Sequence, residues 1–174
     1  MIKLGLGLSM AALMALGCGD DDTTDDGAGV DAGDGAADAG AETTFDVALT
    51  ADDEVPLCAA AGDDATGEAT VTINEDSSEV SVEASWSGLS GDATAAHVHF
   101  GATGDAGGVI FPLGMPPTIP VSETFTASDY PAEPPVGAPA DFAAFVTAME
   151  AGMSYVNVHT VLCESGEIRG QISN

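Results

Sequence analysis

The chain has 174 residues and carries 29 acidic side chains against two basic ones, so its formal net charge is −27. This charge excludes nucleic acid as a partner, because the phosphate backbone would be repelled. Cations and basic or envelope proteins stay open as partners. The roughly 130 residues beyond position 42 suffice for one domain with its own core.

The first residues are typical of a bacterial secretion signal that ends at a lipid-modified cysteine. Lys3 precedes an apolar run, Leu4–Leu16, which is too short for a permanent membrane span. The segment Leu13–Cys18 resembles a lipobox, so we expect residues 1–17 to be removed and Cys18 to be lipidated. A glycine follows the cysteine, which favours the outer membrane of the cell envelope over the inner one. An ordinary signal peptide with an incidental cysteine is the alternative.

A polar, acidic segment follows the signal. Residues 19–40 contain eight aspartates and a single branched aliphatic residue, Val30. Such a composition cannot bury enough apolar surface to fold. We therefore expect residues 18–42 to be a flexible tether to the membrane and residues 43–174 to form the folded domain. The aspartate spacing does not match a calcium-binding loop.

Alternating apolar and polar residues predict strands through most of the folded part. These segments are 44–50, 68–73, 79–86, 95–100, 155–162 and 166–173. Segment 107–113 is a short apolar run and segment 118–127 is extended, and we expect both to be strands as well. The polar turn 74–78 predicts a hairpin, and prolines place segment 118–127 at a sheet edge. Short strands joined by Gly-rich turns predict an all-β fold, an antiparallel sandwich or barrel.

One segment has the period of a helix instead. Its apolar residues fall at positions i, i+3, i+4 and i+7: Phe142, Phe145, Val146 and Met149. Asp141 is a suitable N-cap and Gly152 a suitable end. We expect one short amphipathic helix that packs over a sheet face or an open end of the fold.

Three histidines lie opposite the core residues of two predicted strands. His97 and His99 flank Val98, and residues i and i+2 of a strand lie about 6.5–7 Å apart on one face. His159 reaches the same site if segments 95–100 and 155–162 are neighbours in the sheet. Three imidazoles suit copper or zinc. The alternative is a structural cluster in which the histidines join strands through hydrogen bonds.

The cysteine count predicts one disulfide bond. If Cys18 carries lipid, Cys58 and Cys163 are left as a pair in an oxidising compartment. Their bond would close a loop of 105 residues. Two separate buried thiols are the alternative.

The only base beyond the signal is Arg169. A partly buried arginine can hold several acceptors, so we expect a structural ion pair with Glu167 or another carboxylate.

No catalytic arrangement stands out, because the serines have no histidine motif nearby. The acidic residues of turns 52–54 and 63–64 are expected to be solvated. We therefore assign no catalytic residue.

Two segments resemble a known family, the CHRD domain. They are "AAHVHFGATGDAGGVIFPL" at 95–113 and "YVNVHTVLCESGEIRGQI" at 155–172, and the similarity extends over 43–172. The family is named for chordin, an extracellular antagonist of bone morphogenetic proteins, and also occurs in secreted bacterial proteins. The resemblance implies an immunoglobulin-like β-barrel, similar in outline to copper/zinc superoxide dismutase, and no catalytic activity.

The "HVHFG" segment is also similar to the copper-ligand strand of the dismutases. The long zinc loop of those enzymes, with its further histidines, has no counterpart here, and the acidic chain would repel superoxide. We therefore expect a non-enzymatic binding or structural module at the cell surface or in the periplasm. Copper or zinc binding by His97, His99 and His159 is the alternative.

Overall fold

The computed structural model describes residues 41–174, which form eight strands and one helix. In chain order these are β1 Thr43–Thr50, β2 Thr66–Ile73, β3 Glu79–Ser87, β4 Ala93–Phe100, β5 Gly108–Pro112, β6 Val121–Thr126, α1 Phe142–Glu150, β7 Ser154–Thr160 and β8 Ile168–Gln171. The predicted signal peptide, the predicted lipidation site Cys18 and most of the predicted tether lie outside the described residues. No helix of residues 41–174 is long and apolar enough to cross a membrane.

All eight strands form one antiparallel sheet in the order β5-β4-β7-β8-β1-β2-β3-β6. The ring of Phe111 in β5 stacks on that of Phe125 in β6, with centroids 4.4 Å apart, so the two edge strands approach through the core. The sheet is therefore a nearly closed barrel, which confirms the predicted all-β antiparallel fold. β6 is an edge strand, as its prolines predicted, and it begins only after Pro120 because proline has no N–H for a strand ladder.

Alternation along the strands builds the core. Val98, Val156 and Val158 are completely buried, and the core residues of the other strands are at most 7 % exposed. Burial of each such side chain stabilises the fold by about 1.5–3 kcal/mol. Every strand and the helix contribute to one apolar cluster.

The helix begins and ends where the sequence predicts. The Asp141 carboxylate accepts a hydrogen bond from the backbone N–H of Ala144 at 2.9 Å, and Gly152 adopts a φ of +75° just beyond the last turn. The four predicted apolar residues are buried. Phe145 meets Phe111 edge to face at 5.5 Å, so the helix packs against the aromatic contact between the edge strands.

The polar faces of β7 and β8 are buried too, although they point away from the core. The exposed fractions of Tyr155, Asn157 and Arg169 are 4, 2 and 2 %. Loops 51–65 and 101–107 hydrogen-bond to these strands and cover them. A second, polar layer therefore lies between the sheet and the loops, and it contains the candidate site.

A disulfide bond joins Cys58 to Cys163, as predicted. It connects loop 51–65 with the loop between β7 and β8. Two of the segments around the polar layer are thereby covalently linked.

Candidate metal centre

The three histidines meet in the polar layer because β4 and β7 are neighbours. In their antiparallel register Ala95 faces His159, and His97 faces Asn157, so His97 and His159 are diagonal neighbours on one face. One nitrogen atom from each of the three rings lies within 4.8 Å of the others. His97 Nδ1 and His159 Nε2 are 3.0 Å apart. The structure therefore brings together the residues that the sequence singled out.

Backbone carbonyls fix the tautomers of two rings. His99 Nδ1 lies 3.0 Å from the carbonyl oxygen of Gly107, and His159 Nδ1 lies 3.0 Å from that of Glu164. A carbonyl can only accept, so each Nδ1 carries the proton and each Nε2 carries a lone pair. Carbonyls commonly orient metal-binding histidines in this way.

The lone pair of His99 Nε2 has no hydrogen-bond partner in the described part of the chain, although the atom is buried. An unsatisfied buried acceptor costs about 1–3 kcal/mol. An ion bound at this nitrogen would remove the cost.

His97 completes the group by donating from Nδ1 to the lone pair of His159 Nε2. Nitrogens that share one ion at 2.0–2.1 Å in trigonal or tetrahedral geometry lie about 3.3–3.6 Å apart. A pair at the 4.8 Å limit therefore has to approach by about 1.2–1.5 Å when an ion binds, which requires the rings to rotate toward one another. Coordination by Nδ1 of His97 moves its proton to Nε2 without a change of charge.

All three rings are neutral near pH 7. Burial lowers the pKa of His97 to about 4, and the neighbouring His159 contributes. Burial also lowers the pKa of His99 to about 4, although the hydrogen bond to Gly107 opposes it. The pKa of His159 is lowered by burial as well. At neutral pH a metal ion therefore meets no charged imidazole, and only the Nδ1 proton of His97 has to move to Nε2.

Residues 45–172 match the CHRD domain family. The chain belongs to the CHRD family. No curated protein and no solved structure matches it significantly. The match contains the helix, the three histidines and all eight strands except the first two residues of β1.

In this CHRD domain an aromatic and a cationic side chain stack beside the histidines. Tyr155 of β7 is parallel to the ring of His99 in β4, with centroids 4.8 Å apart. From β8, the guanidinium carbon of Arg169 lies 3.5 Å from the centroid of Tyr155. The Tyr155 hydroxyl accepts a 2.9 Å hydrogen bond from the N–H of Gly107, the residue whose carbonyl orients His99.

The predicted ion pair of Arg169 with Glu167 is not formed. Arg169 donates to the carbonyl oxygens of Asp105 and Ala102 at 2.8 and 3.0 Å, and to the amide oxygen of Gln171 at 3.2 Å. The guanidinium therefore holds loop 101–107 over the sheet. Strand alternation placed the two side chains on the same face but could not show which loop reaches each of them.

Glu167 is fully buried and is held by other donors. Its carboxylate accepts from the hydroxyls of Ser90 and Thr160, both at 2.6 Å, and from the N–H groups of Gly62 and Ser90. Burial alone would raise the pKa of Glu167, but these hydrogen bonds hold it below its ordinary value. Glu167 thus connects two loops to the polar layer.

The sequence reasoning missed Glu54, which we expected in a solvated turn. Its side chain is only 4 % exposed and accepts a hydrogen bond from the amide nitrogen of Asn157. Burial raises the pKa of Glu54 to about 7, against the lowering effect of Arg169. Gly166, at a φ of +137°, leaves room for this contact, since a Cβ there would lie 2.4 Å from a Glu54 oxygen. The neighbouring aspartates are exposed, so composition gave no signal.

Proposed function

We propose that this CHRD domain is a non-enzymatic binding module of the bacterial cell envelope that holds one copper or zinc ion through His97, His99 and His159. The observation that carries the proposal is the convergence of three imidazole nitrogens within 4.8 Å. Imidazole suits both metals, and three neutral nitrogens leave room for a further ligand from solvent or a partner.

The environment of the rings supports metal binding further. The carbonyl of Gly107 leaves the Nε2 lone pair of His99 free, and the carbonyl of Glu164 directs the Nε2 lone pair of His159 toward His97, whose N–H a bound ion would replace. His97 and His159 are half-buried whereas His99 is only 7 % exposed, so an ion from solvent meets the first two before the third.

Metal analysis of the purified full chain tests the proposal. After incubation with copper or zinc and removal of the free ion, we expect one bound ion per chain. The double variant His97→Ala/His99→Ala should lose it, and Glu123→Ala, on the exposed face of β6, should keep it. Absence of bound metal in the wild type, or the same metal content in the double variant, would contradict the proposal.

The hydrogen bond of 3.0 Å between His97 and His159 favours a second candidate, a purely structural cluster that joins β4 to β7. In that case neither metal binds, and the double variant has a lower melting temperature than the wild type. With a metal centre, the added ion raises the melting temperature of the wild type but leaves that of the double variant unchanged.

We further propose that lipid on Cys18 anchors the protein to the envelope, with the outer membrane as its location. The lipobox-like segment 13–18 and the acidic, Gly-rich stretch after it support this proposal. Fractionation of cells should place the wild type with the membranes and Cys18→Ser outside them. Recovery of both forms in the same fraction would refute the lipid anchor and leave the metal site untouched.

A further inference from the structure

Resting on the metal site proposed above, we infer that the site holds copper as Cu(I) in preference to the divalent ions Cu(II) and Zn(II). The reason is the buried guanidinium of Arg169, which lies one aromatic ring away from His99.

The ligands themselves do not neutralise a bound ion. The group within 4.8 Å consists of three histidines and includes no carboxylate or thiolate of the described residues. Because imidazole is neutral here, a divalent ion keeps both of its charges inside the polar layer, whereas Cu(I) keeps only one. Zinc also requires a fourth ligand to complete its tetrahedron, and none of the described residues supplies one within the group.

Arg169 adds a positive charge within this layer. Its side chain is 2 % exposed, and all three of its hydrogen bonds go to uncharged oxygen atoms. No carboxylate of residues 41–174 pairs with it. Glu54 interacts with it electrostatically, but burial keeps part of the Glu54 population protonated at neutral pH.

The electrostatic field of this charge reaches the ligands over a short distance, because the side chains between them are buried. Tyr155 in β7 lies between Arg169 in β8 and His99 in β4. The guanidinium carbon of Arg169 is 3.5 Å from the centroid of the Tyr155 ring, and the ring centroids of Tyr155 and His99 are 4.8 Å apart. Exposed charges at this separation are screened by water, but Tyr155 and Arg169 are both buried. Repulsion between two charges is proportional to each of them, so Arg169 opposes a divalent ion twice as strongly as a monovalent one.

The affinities of the full chain for the two copper ions test the inference. Cu(I) is supplied anaerobically without thiols, so that the disulfide stays intact, and is competed with the chelator bicinchoninate. Cu(II) is competed with nitrilotriacetate. We expect the wild type to bind Cu(I) at least tenfold more tightly than Cu(II), and Cu(I) to displace bound zinc.

Two variants test the role of Arg169. Arg169→Gln removes the charge and should reduce the ratio of Cu(I) to Cu(II) affinity by tenfold or more. Arg169→Lys keeps the charge and should retain most of the ratio, and circular dichroism checks the fold of both. Because the wild-type ratio is measured independently, the test stands even if Arg169→Gln fails to fold.

The outcomes separate this inference from the proposal on which it rests. If neither copper ion nor zinc binds, the metal site itself is refuted. If the wild type binds Cu(II) as tightly as Cu(I), the site stands and the preference is refuted. If Arg169→Gln folds and keeps the wild-type ratio, the guanidinium is not its cause.

Discussion

Glu54 and Glu167 show how the surroundings of a buried carboxyl decide its charge. Both are almost inaccessible to water, at 4 and 0 % exposure. Glu167 accepts four hydrogen bonds, which favour the charged form and lower its pKa. Glu54 accepts one side-chain hydrogen bond, from Asn157, and burial prevails and raises its pKa to about 7. Glu167 is therefore a charged anchor, whereas deprotonation of Glu54 lowers the stability of the folded state.

We expect Glu54→Gln to stabilise the protein above pH 7. The amide keeps an oxygen for Asn157 but carries no charge that must be buried. The shift of the pKa from 4.5 to about 7 corresponds to a gain on the order of 3 kcal/mol at pH 8. Urea unfolding at pH 4 and pH 8 measures it. Equal stability of wild type and variant at pH 8 would contradict the raised pKa of Glu54. The control Glu83→Gln, at an exposed position of β3, should change the stability little at either pH.

The histidines make stability fall as the solution becomes acidic. From pH 6.5 to about 4 the unfolded chain binds protons on His97 and His99 that the folded chain does not, so falling pH favours unfolding. Glu54 acts in the opposite direction from pH 7 to 4.5, because its folded pKa is raised. Two histidines against one carboxyl give a net loss of stability from pH 6.5 to 4.5.

The slope of this pH dependence tests the buried histidines. In the metal-free protein, the free energy of unfolding should fall more steeply from pH 6.5 to 4.5 for the wild type than for His97→Ala/His99→Ala. Urea unfolding in the presence of a chelator measures both slopes. Parallel curves would show that the two rings have ordinary pKa values in the folded protein.

At the scale of single elements, local pattern carries most of the information. The period of two predicted most strands and that of 3.6 predicted α1, because each period reports which side chains face the core. β5 was instead predicted from a short apolar run and β6 from an extended segment with prolines. The histidine cluster followed from the same alternation once β4 and β7 were neighbours. Short-range capping chemistry likewise located the start of α1 at Asp141.

The loops over the polar layer could not be predicted in this way. Gly62 meets Glu167 across 105 positions of the chain, and Asn157 meets Glu54 across 103. Such contacts depend on where the finished barrel places two distant loops, and no local period records them. Hence the three histidines of the candidate site were found from the sequence, whereas the Gly107 carbonyl that orients His99 was not.

The helix cap gives a direct test at this scale. Asp141→Ala removes the acceptor of the Ala144 N–H and should lower the free energy of unfolding by about 1 kcal/mol. Asp141→Ser keeps a capping oxygen and should retain most of that stability. Thermal or urea unfolding compares the two. An alanine variant as stable as the serine variant would show that the cap contributes nothing.

At the scale of the whole molecule, the disulfide bond closes a loop of chain that includes strands β2 to β7 of the barrel. The bond between Cys58 and Cys163 spans 105 residues and therefore encloses most of the folded domain. In the chain-entropy account, a loop of that length stabilises the folded state by about 4–5 kcal/mol, mainly by restricting the unfolded chain.

The double variant Cys58→Ser/Cys163→Ser should lose stability by about that amount, 4–5 kcal/mol. Urea unfolding in a Cys18→Ser background measures the loss without interference from the third cysteine. Treating the parent protein with a reductant should bring its unfolding midpoint close to that of the variant. An unchanged midpoint in both experiments would contradict the stabilising role of the bond.

The central claim for the molecule as a whole is that its fold brings His97, His99 and His159 to one ion. X-ray absorption at the metal edge of the zinc-loaded protein tests this claim most directly. We predict an inner shell with three imidazole nitrogens at about 2.0–2.1 Å, and the loss of this shell in His97→Ala/His99→Ala. A shell of oxygen atoms alone, or one with a single imidazole, would contradict it.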